Sequence, residues 1–169
     1  MTSPAPSVPT DPLDLLRELR RLCRTAMLAT ADADGVPDAS YAPFVDAGGH
    51  DGALLILVSG LARHTANLLQ RRRVSVMLIE DESAAGQIFG RRRVTYACRV
   101  EPVVRDSAAW KSGLDALQAR HGAVVTMLRD LKDFQLLRLV PESGSLVLGF
   151  GKAWRLSGPG CETIEGVGR

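Results

Sequence analysis

The stretch LLILVSGLARHTANLL, residues 54–69, passes without a linker from an unbroken apolar run into an amphipathic segment. Leu54 to Val58 shows no apolar–polar alternation, so it predicts a strand buried on both faces. Ser59-Gly60 ends that strand, and Leu61 to Gln70 predicts a helix. At about 100° per residue, Leu61, Thr65, Leu68 and Leu69 share one face, while Arg63, His64 and Asn67 lie on the opposite arc. Arg63 and His64 then fall in the first turn, where the helix dipole disfavours cations. An anion at that end reverses the penalty, because free backbone N–H groups point toward it. Phosphate matches the planar fork of arginine. Two solvated surface cations would leave the same pattern, so the residues alone leave both readings open.

Toward the N-terminus, Asp11-Pro12 predicts a helix start, with Asp11 as N-cap and Pro12 in the first turn. Leu15, Leu16, Leu19, Leu22 and Cys23 form its apolar face. Thr25 to Ala31 and Val36 to Val45 read as two strands joined by the turn Asp32-Ala33-Asp34-Gly35. Residues 1–10, rich in Pro, Ser and Thr, read as a flexible leader.

Toward the C-terminus, Val74 to Ile79 and Val94 to Val104 read as strands, and residues 107–120 as a helix containing Trp110, Leu114 and Leu117 as core. Ala123 to Leu131 reads as a further helical piece. Phe134 to Val140, Leu146 to Phe150 and Ala153 to Leu156 read as strands, the first two separated by a turn at Glu142-Ser143-Gly144. From Ser157 the sequence reads as a Gly-rich tail. The strands follow one another through short connections, and the helices do not alternate with them, so a doubly wound βαβ fold is excluded. The expected organisation is one domain over residues 11–156, between a leader (1–10) and a tail (157–169). Closing such strands into a small barrel removes exposed sheet edges.

At 169 residues the chain suits a single core. A net charge of +2 and 5% aromatic residues argue against a nucleic-acid partner. Three widely spaced cysteines, Cys23, Cys98 and Cys161, form no CxxC pair, so reduced thiols in a cytoplasmic protein are expected. No signal-peptide pattern and no apolar run of spanning length is visible, so no membrane partner is expected. The sequence holds no GxSxG elbow and no HExxH pair, and no catalytic residue can be named. A redox cofactor would make one unnecessary, since the cofactor carries the chemistry.

The segments "LATADADGVPDASYAPFV", "SGLARHTANL", "VSVMLIEDE", "IFGRRRVTY", "LKDFQLLRLVPESG" and "GFGKAWRL" occur in order from about Thr25 to Leu156. Together they resemble the pyridoxamine-phosphate-oxidase-like superfamily of FMN-binding split barrels, and within it the haem-utilisation branch. The resemblance implies an α+β fold: a mostly antiparallel split β-barrel with flanking helices, homodimeric, with its cofactor at the subunit boundary. It also implies that Arg63 matches an arginine gripping the FMN phosphate, with His64 in place of the usual lysine and Thr65 and Asn67 in the same segment. Ser40, Tyr41, Ala42 and Pro43 match one strand beside the cofactor, and Val58 and Ser59 its neighbour. Asp133 matches an acidic residue near the axial ligand of the haem-degrading members, and Arg92 is the candidate for a propionate or phosphate contact.

In the haem-degrading members the axial histidine comes from a C-terminal extension, whereas Ser157 to Arg169 contains no histidine. The expectation is therefore an FMN-binding, oxidoreductase-like homodimer acting on an unidentified small redox substrate. A haem-binding protein with an atypical axial ligand is the alternative, and a cofactor-free scaffold the third.

Overall fold

A computed structural model describes residues 11–167, so the leader expected over 1–10 lies outside the described residues. Eight strands and four helices run in the order α1 (Pro12–Leu22), β1 (Thr25–Ala31), β2 (Pro37–Asp46), β3 (Leu54–Ser59), α2 (Arg63–Arg71), β4 (Arg73–Ile79), β5 (Arg93–Pro102), α3 (Ala108–His121), α4 (Val124–Arg129), β6 (Phe134–Val147), β7 (Ala153–Ser157) and β8 (Thr163–Gly166). All pairings are antiparallel. The sheet order is β3-β2-β1-β4-β5-β6-β7-β8, and β3 also pairs with β6. That last pairing closes a six-stranded barrel, from which β7 and β8 extend.

The apolar run of β3 is covered on both sides, as its lack of alternation requires. Leu54, Ile56 and Val58 point into the barrel core with Phe44, Tyr96 and Leu137. Leu55 instead joins Leu136, Trp110, Leu114 and Leu117 in a second cluster, where α3 packs on the outside of β3 and β6. That approach needs Gly113, since a Cβ there would lie 2.8 Å from Leu136 Cδ2. Helix α1 starts as its sequence dictates, with the Asp11 carboxylate accepting from the Leu13 N–H at 2.7 Å. Leu16 and Leu19 bury its apolar face against the barrel.

Two expectations are corrected. Glu142-Ser143-Gly144 is no turn: β6 runs unbroken through it, and Glu142 is the extra residue of a bulge, because Ala97 pairs with Ser143 while Cys98 pairs with Pro141. Gly144 lies on the barrel wall there, where a Cβ would sit 2.8 Å from the Thr95 carbonyl. The Gly-rich segment after Ser157 is structured as well. It makes a short 3-10 turn at Pro159–Cys161 and then β8, which pairs with β7. Cys161 is fully buried in the barrel cluster.

Candidate functional site

Strand β3 ends at Ser59 where β6 begins at Phe134, and this pairing sets Asp133 against the start of α2. The Ser59 hydroxyl donates to Asp133 Oδ2 at 2.7 Å and accepts from the Leu61 N–H at 3.2 Å. Gly60 N–H donates to the Asp133 carbonyl at 2.8 Å. Thr65 Oγ1 reaches back to the Ser59 carbonyl at 2.6 Å. The junction is thus a fixed cradle in which Ser59 and Asp133 meet, although they are far apart in sequence.

Helix α2 has Ala62 at its N-cap with no side-chain cap, and no acidic residue in its first turn. The negative charge favoured at such an end comes from another element. Asp38, at the start of β2, places Oδ1 4.0 Å from Arg63 Nη1. Burial holds the His64 imidazole below its usual pKa, and Asp38 acts in the opposite direction. His64 Nε2 is inaccessible and has no hydrogen-bond partner among the described residues, although the ring as a whole is only partly covered. Asp38 gives no signal in the sequence. It is brought here only by the β1–β2 hairpin, in which it pairs with Thr30.

The other expected residues separate into groups. On β2 the side chains alternate, so Ala42 is buried in the barrel while Tyr41, 63% exposed, and Pro43 face outward. Ser40 points inward, with its Oγ buried and unbonded. Val58 is core. Thr65 and Asn67 are buried too, so Asn67 does not share the exposure of Arg63, with which the helical spacing grouped it. The helix begins at Arg63, later than expected, and Leu61 lies outside it, 91% exposed. A stripe anchored on Leu61 was therefore misaligned, and the side chains of Ala42, Val58, Thr65 and Asn67 are closed to a ligand. Asn67 Nδ2 instead donates to Thr30 Oγ1 at 3.0 Å. Replacing Asn67 with Ala is expected to lower stability by about 1–3 kcal/mol in urea denaturation, the range for a lost buried hydrogen bond.

Arg92 is held apart from this cradle. It lies just before β5, whose first residue, Arg93, pairs with Ile79 at the far end of β4 from α2. Arg92 Nε is 2.7 Å from Oε2 of the buried Glu80, and Nη1 is 3.4 Å from Glu18. The hydrogen bond to Glu80 is the main cause raising its already high pKa. Its charge is therefore compensated within the chain, and one chain does not bring Arg92 and Arg63 to one ligand.

Among the described residues no group of three or more His, Cys, Asp or Glu side chains is placed to hold a metal, and no helix is long and apolar enough to cross a membrane. Residues 13–148 match the family model described as pyridoxamine 5'-phosphate oxidase. The chain is 42% identical over 143 residues to heme oxygenase HutZ of Vibrio cholerae serotype O1, covering 85% of this chain and 80% of that protein. The crystal structure of HutZ, described as the heme storage protein from Vibrio cholerae, superposes with a TM-score of 0.71 at 41% identity, covering 76% of this chain and 89% of that one. That of Campylobacter jejuni ChuZ gives 0.81 at 26% identity, covering 92% of this chain but only 62% of the longer ChuZ chain. The closed antiparallel barrel, the strand–helix cradle at Ser59 and a family match spanning most of the sequence agree, and the chain belongs to the pyridoxamine 5'-phosphate oxidase family, with haem-utilisation proteins among its relatives.

Proposed function

We propose that this protein binds haem, in a cleft completed by a second copy of the chain. The observation that carries this reading is the 42% identity, across 85% of the chain, to a protein named a heme oxygenase. It displaces the flavin expectation, and the α2 start supports the change. An FMN phosphate at Arg63 would meet the carboxylate of Asp38, already 4.0 Å from that guanidinium, and like charges at this range repel.

The residues present suit a haem better. A porphyrin needs apolar contact, and Tyr41 and Met27, paired on neighbouring strands, are 63% and 43% exposed on the outer barrel face. Of the three histidines, His121 is engaged by the Phe44 carbonyl at 2.8 Å, and His50 lies in the exposed loop after β2. His64, at the start of α2, has an unbonded but inaccessible Nε2, so its ring must turn before that nitrogen can meet a haem. When bound, haem supplies an iron centre for oxygen chemistry, tuned by its axial ligand and surroundings. The chain's part is to hold the macrocycle and limit water. A barrel of this size is filled by its own side chains, so a planar cofactor must lie outside it, and a two-fold contact between copies encloses it twice. Three unpaired cysteines suit a reducing cytoplasm.

Absorption titration with haemin and with FMN, read alongside sedimentation, tests this. The expected result is a sharp Soret band saturating at a fixed ratio to a dimer, with no yellow flavoprotein spectrum. A monomer, or a protein that takes up FMN and not haemin, would sink the reading. With a reductant and oxygen, loss of the Soret band would mark degradation, and its persistence would mark storage.

A further inference from the structure

The end of β5, the approach to α3 and the start of β6 enclose a groove of about 290 Å³, with Val103, Arg105, Trp110, Lys132, Phe134 and Leu136 in its lining. Strand pairing fixes its floor: Pro102 stands opposite Leu137, and the Val103 N–H donates to the Leu136 carbonyl at 2.9 Å. The chain then turns through Asp106, at a φ of 64°, and Ser107 caps α3 by accepting from the Trp110 N–H at 3.1 Å. Trp110 is thereby seated on the second hydrophobic cluster with 4% exposure. Arg105 lies over its ring, 4.9 Å from the centroid. Hydrogen bonds to the carbonyls of Arg129, Leu131 and Phe134 hold the guanidinium there.

The lining holds two cations and no carboxylate. Among the described residues neither Arg105 nor Lys132 is ion-paired to an acidic side chain. The cavity beside Arg20 differs, because there Asp46 and Glu162 share the lining with Arg20 and Arg17 and pair with them. Arg105 spends only Nη1 and Nη2 on its carbonyls, which leaves its Nε–H free. The Trp110 indole N–H has no acceptor among the described residues either, and it is not one of the sealed, unbonded atoms. These donors stand beside apolar walls at Pro102, Val103, Phe134 and Leu136. Apolar walls with a few placed polar groups are the make-up of a small-molecule site.

We infer that this groove binds a small carboxylate with an apolar body, an aromatic or branched-chain acid, its charge toward Lys132 and Arg105 and its body against Phe134, Leu136 and Val103. The two demands are separate. A bare anion meets the cations and leaves the apolar walls wet, and a neutral analogue fills the walls and leaves the cations uncompensated. A volume of about 290 Å³ holds the body to one ring or one branched chain. The inference stands apart from the haem reading, since none of Ser59, Arg63, His64 and Asp133 is in the lining.

Nitrogen–proton correlation spectra of the isotope-labelled full chain test it. The chain has two tryptophans, Trp110 and Trp154, so it gives two indole signals, which Trp154→Phe assigns. Phenylacetate, acetate and phenylacetamide are titrated in turn. Phenylacetate is expected to shift the Trp110 signal to saturation and to leave that of Trp154 in place. Acetate lacks the apolar body and the amide lacks the charge, and each is expected to bind at least about tenfold more weakly. Lys132→Gln is expected to weaken phenylacetate about tenfold, the loss of one charge-assisted hydrogen bond. Lys152→Gln, exposed in the loop between β6 and β7, is the control and leaves binding unchanged. Three results would overturn the site: no saturable shift at Trp110, an amide that binds as tightly as the acid, or a folded Lys132→Gln variant with the parent's affinity. If Lys132→Gln disturbs the whole spectrum, the acid-against-amide comparison on the parent decides alone. Uptake of haemin, or its failure, changes none of these outcomes.

Discussion

Tyr96→Ala is expected to lower the stability of the barrel by about 3–5 kcal/mol, the cost of deleting a fully buried aromatic side chain. Tyr96 is an inward residue of β5 with no exposed surface. Its ring packs where β6 crosses β5, and a Cβ on Gly144 would come within 3.0 Å of it. Arg20 from α1 lies over the ring at 5.7 Å, donates to its hydroxyl at 3.3 Å and to the Gly52 carbonyl at 3.0 Å, and pairs with Asp46. Burial pushes the phenol's pKa up, with Arg20 opposing, so the hydroxyl stays neutral at ordinary pH. One side chain thus ties α1, the loop after β2 and the barrel wall together. Tyr96→Phe should cost less, about 1.5–3 kcal/mol, since it removes one hydrogen bond to a charged donor and leaves Arg20 its other partners. Urea denaturation reads both. A Tyr96→Ala midpoint equal to the parent's would mean that the barrel is not packed around this residue.

Truncation after Gly158 is expected to destabilise the protein by about 3 kcal/mol or more, from lost apolar burial and strand hydrogen bonds. It removes β8, the fully buried Cys161 and the half-buried Ile164, both packed on the barrel cluster. It also removes Gly160, whose chain passes so close to Gly52 that a Cβ on Gly52 would lie 2.8 Å from the Gly160 carbonyl. A truncated protein that loses haemin would therefore not identify an iron ligand in this segment. Cys161→Ala with the segment intact does so. Its thiol has no exposure, and burial raises its pKa, against the thiolate form. The haemin spectrum should not change. A thermal melt of the truncated chain matching that of the full chain would show that β8 adds nothing to the barrel.

The sequence by itself determined the kind of most local elements, because that depends on near neighbours. The unbroken run Leu54–Val58 reads as doubly covered, and Leu54 and Leu55 do face different clusters. The Asp11 cap and the Trp110–Leu114–Leu117 face of α3 follow equally from spacing along the chain. The ordered family segments carried the barrel itself. Only the tertiary structure decided which elements meet and in what register. Glu142-Ser143-Gly144 has the composition of a turn, yet β5 holds it in a continuous strand and absorbs the misfit as a bulge. Thr163–Gly166 is too short and too polar to declare itself a strand, but β7 offers it an unpaired edge. Asp38 beside Arg63, Glu80 beside Arg92, and Thr30 beneath Asn67 are contacts between distant segments. Each changes the meaning of a residue that the sequence shows as a free polar group. The physical reason is the same throughout: periodicity and caps are written along one segment, whereas the partner that satisfies a buried donor or compensates a charge is fixed by strand pairing across the barrel.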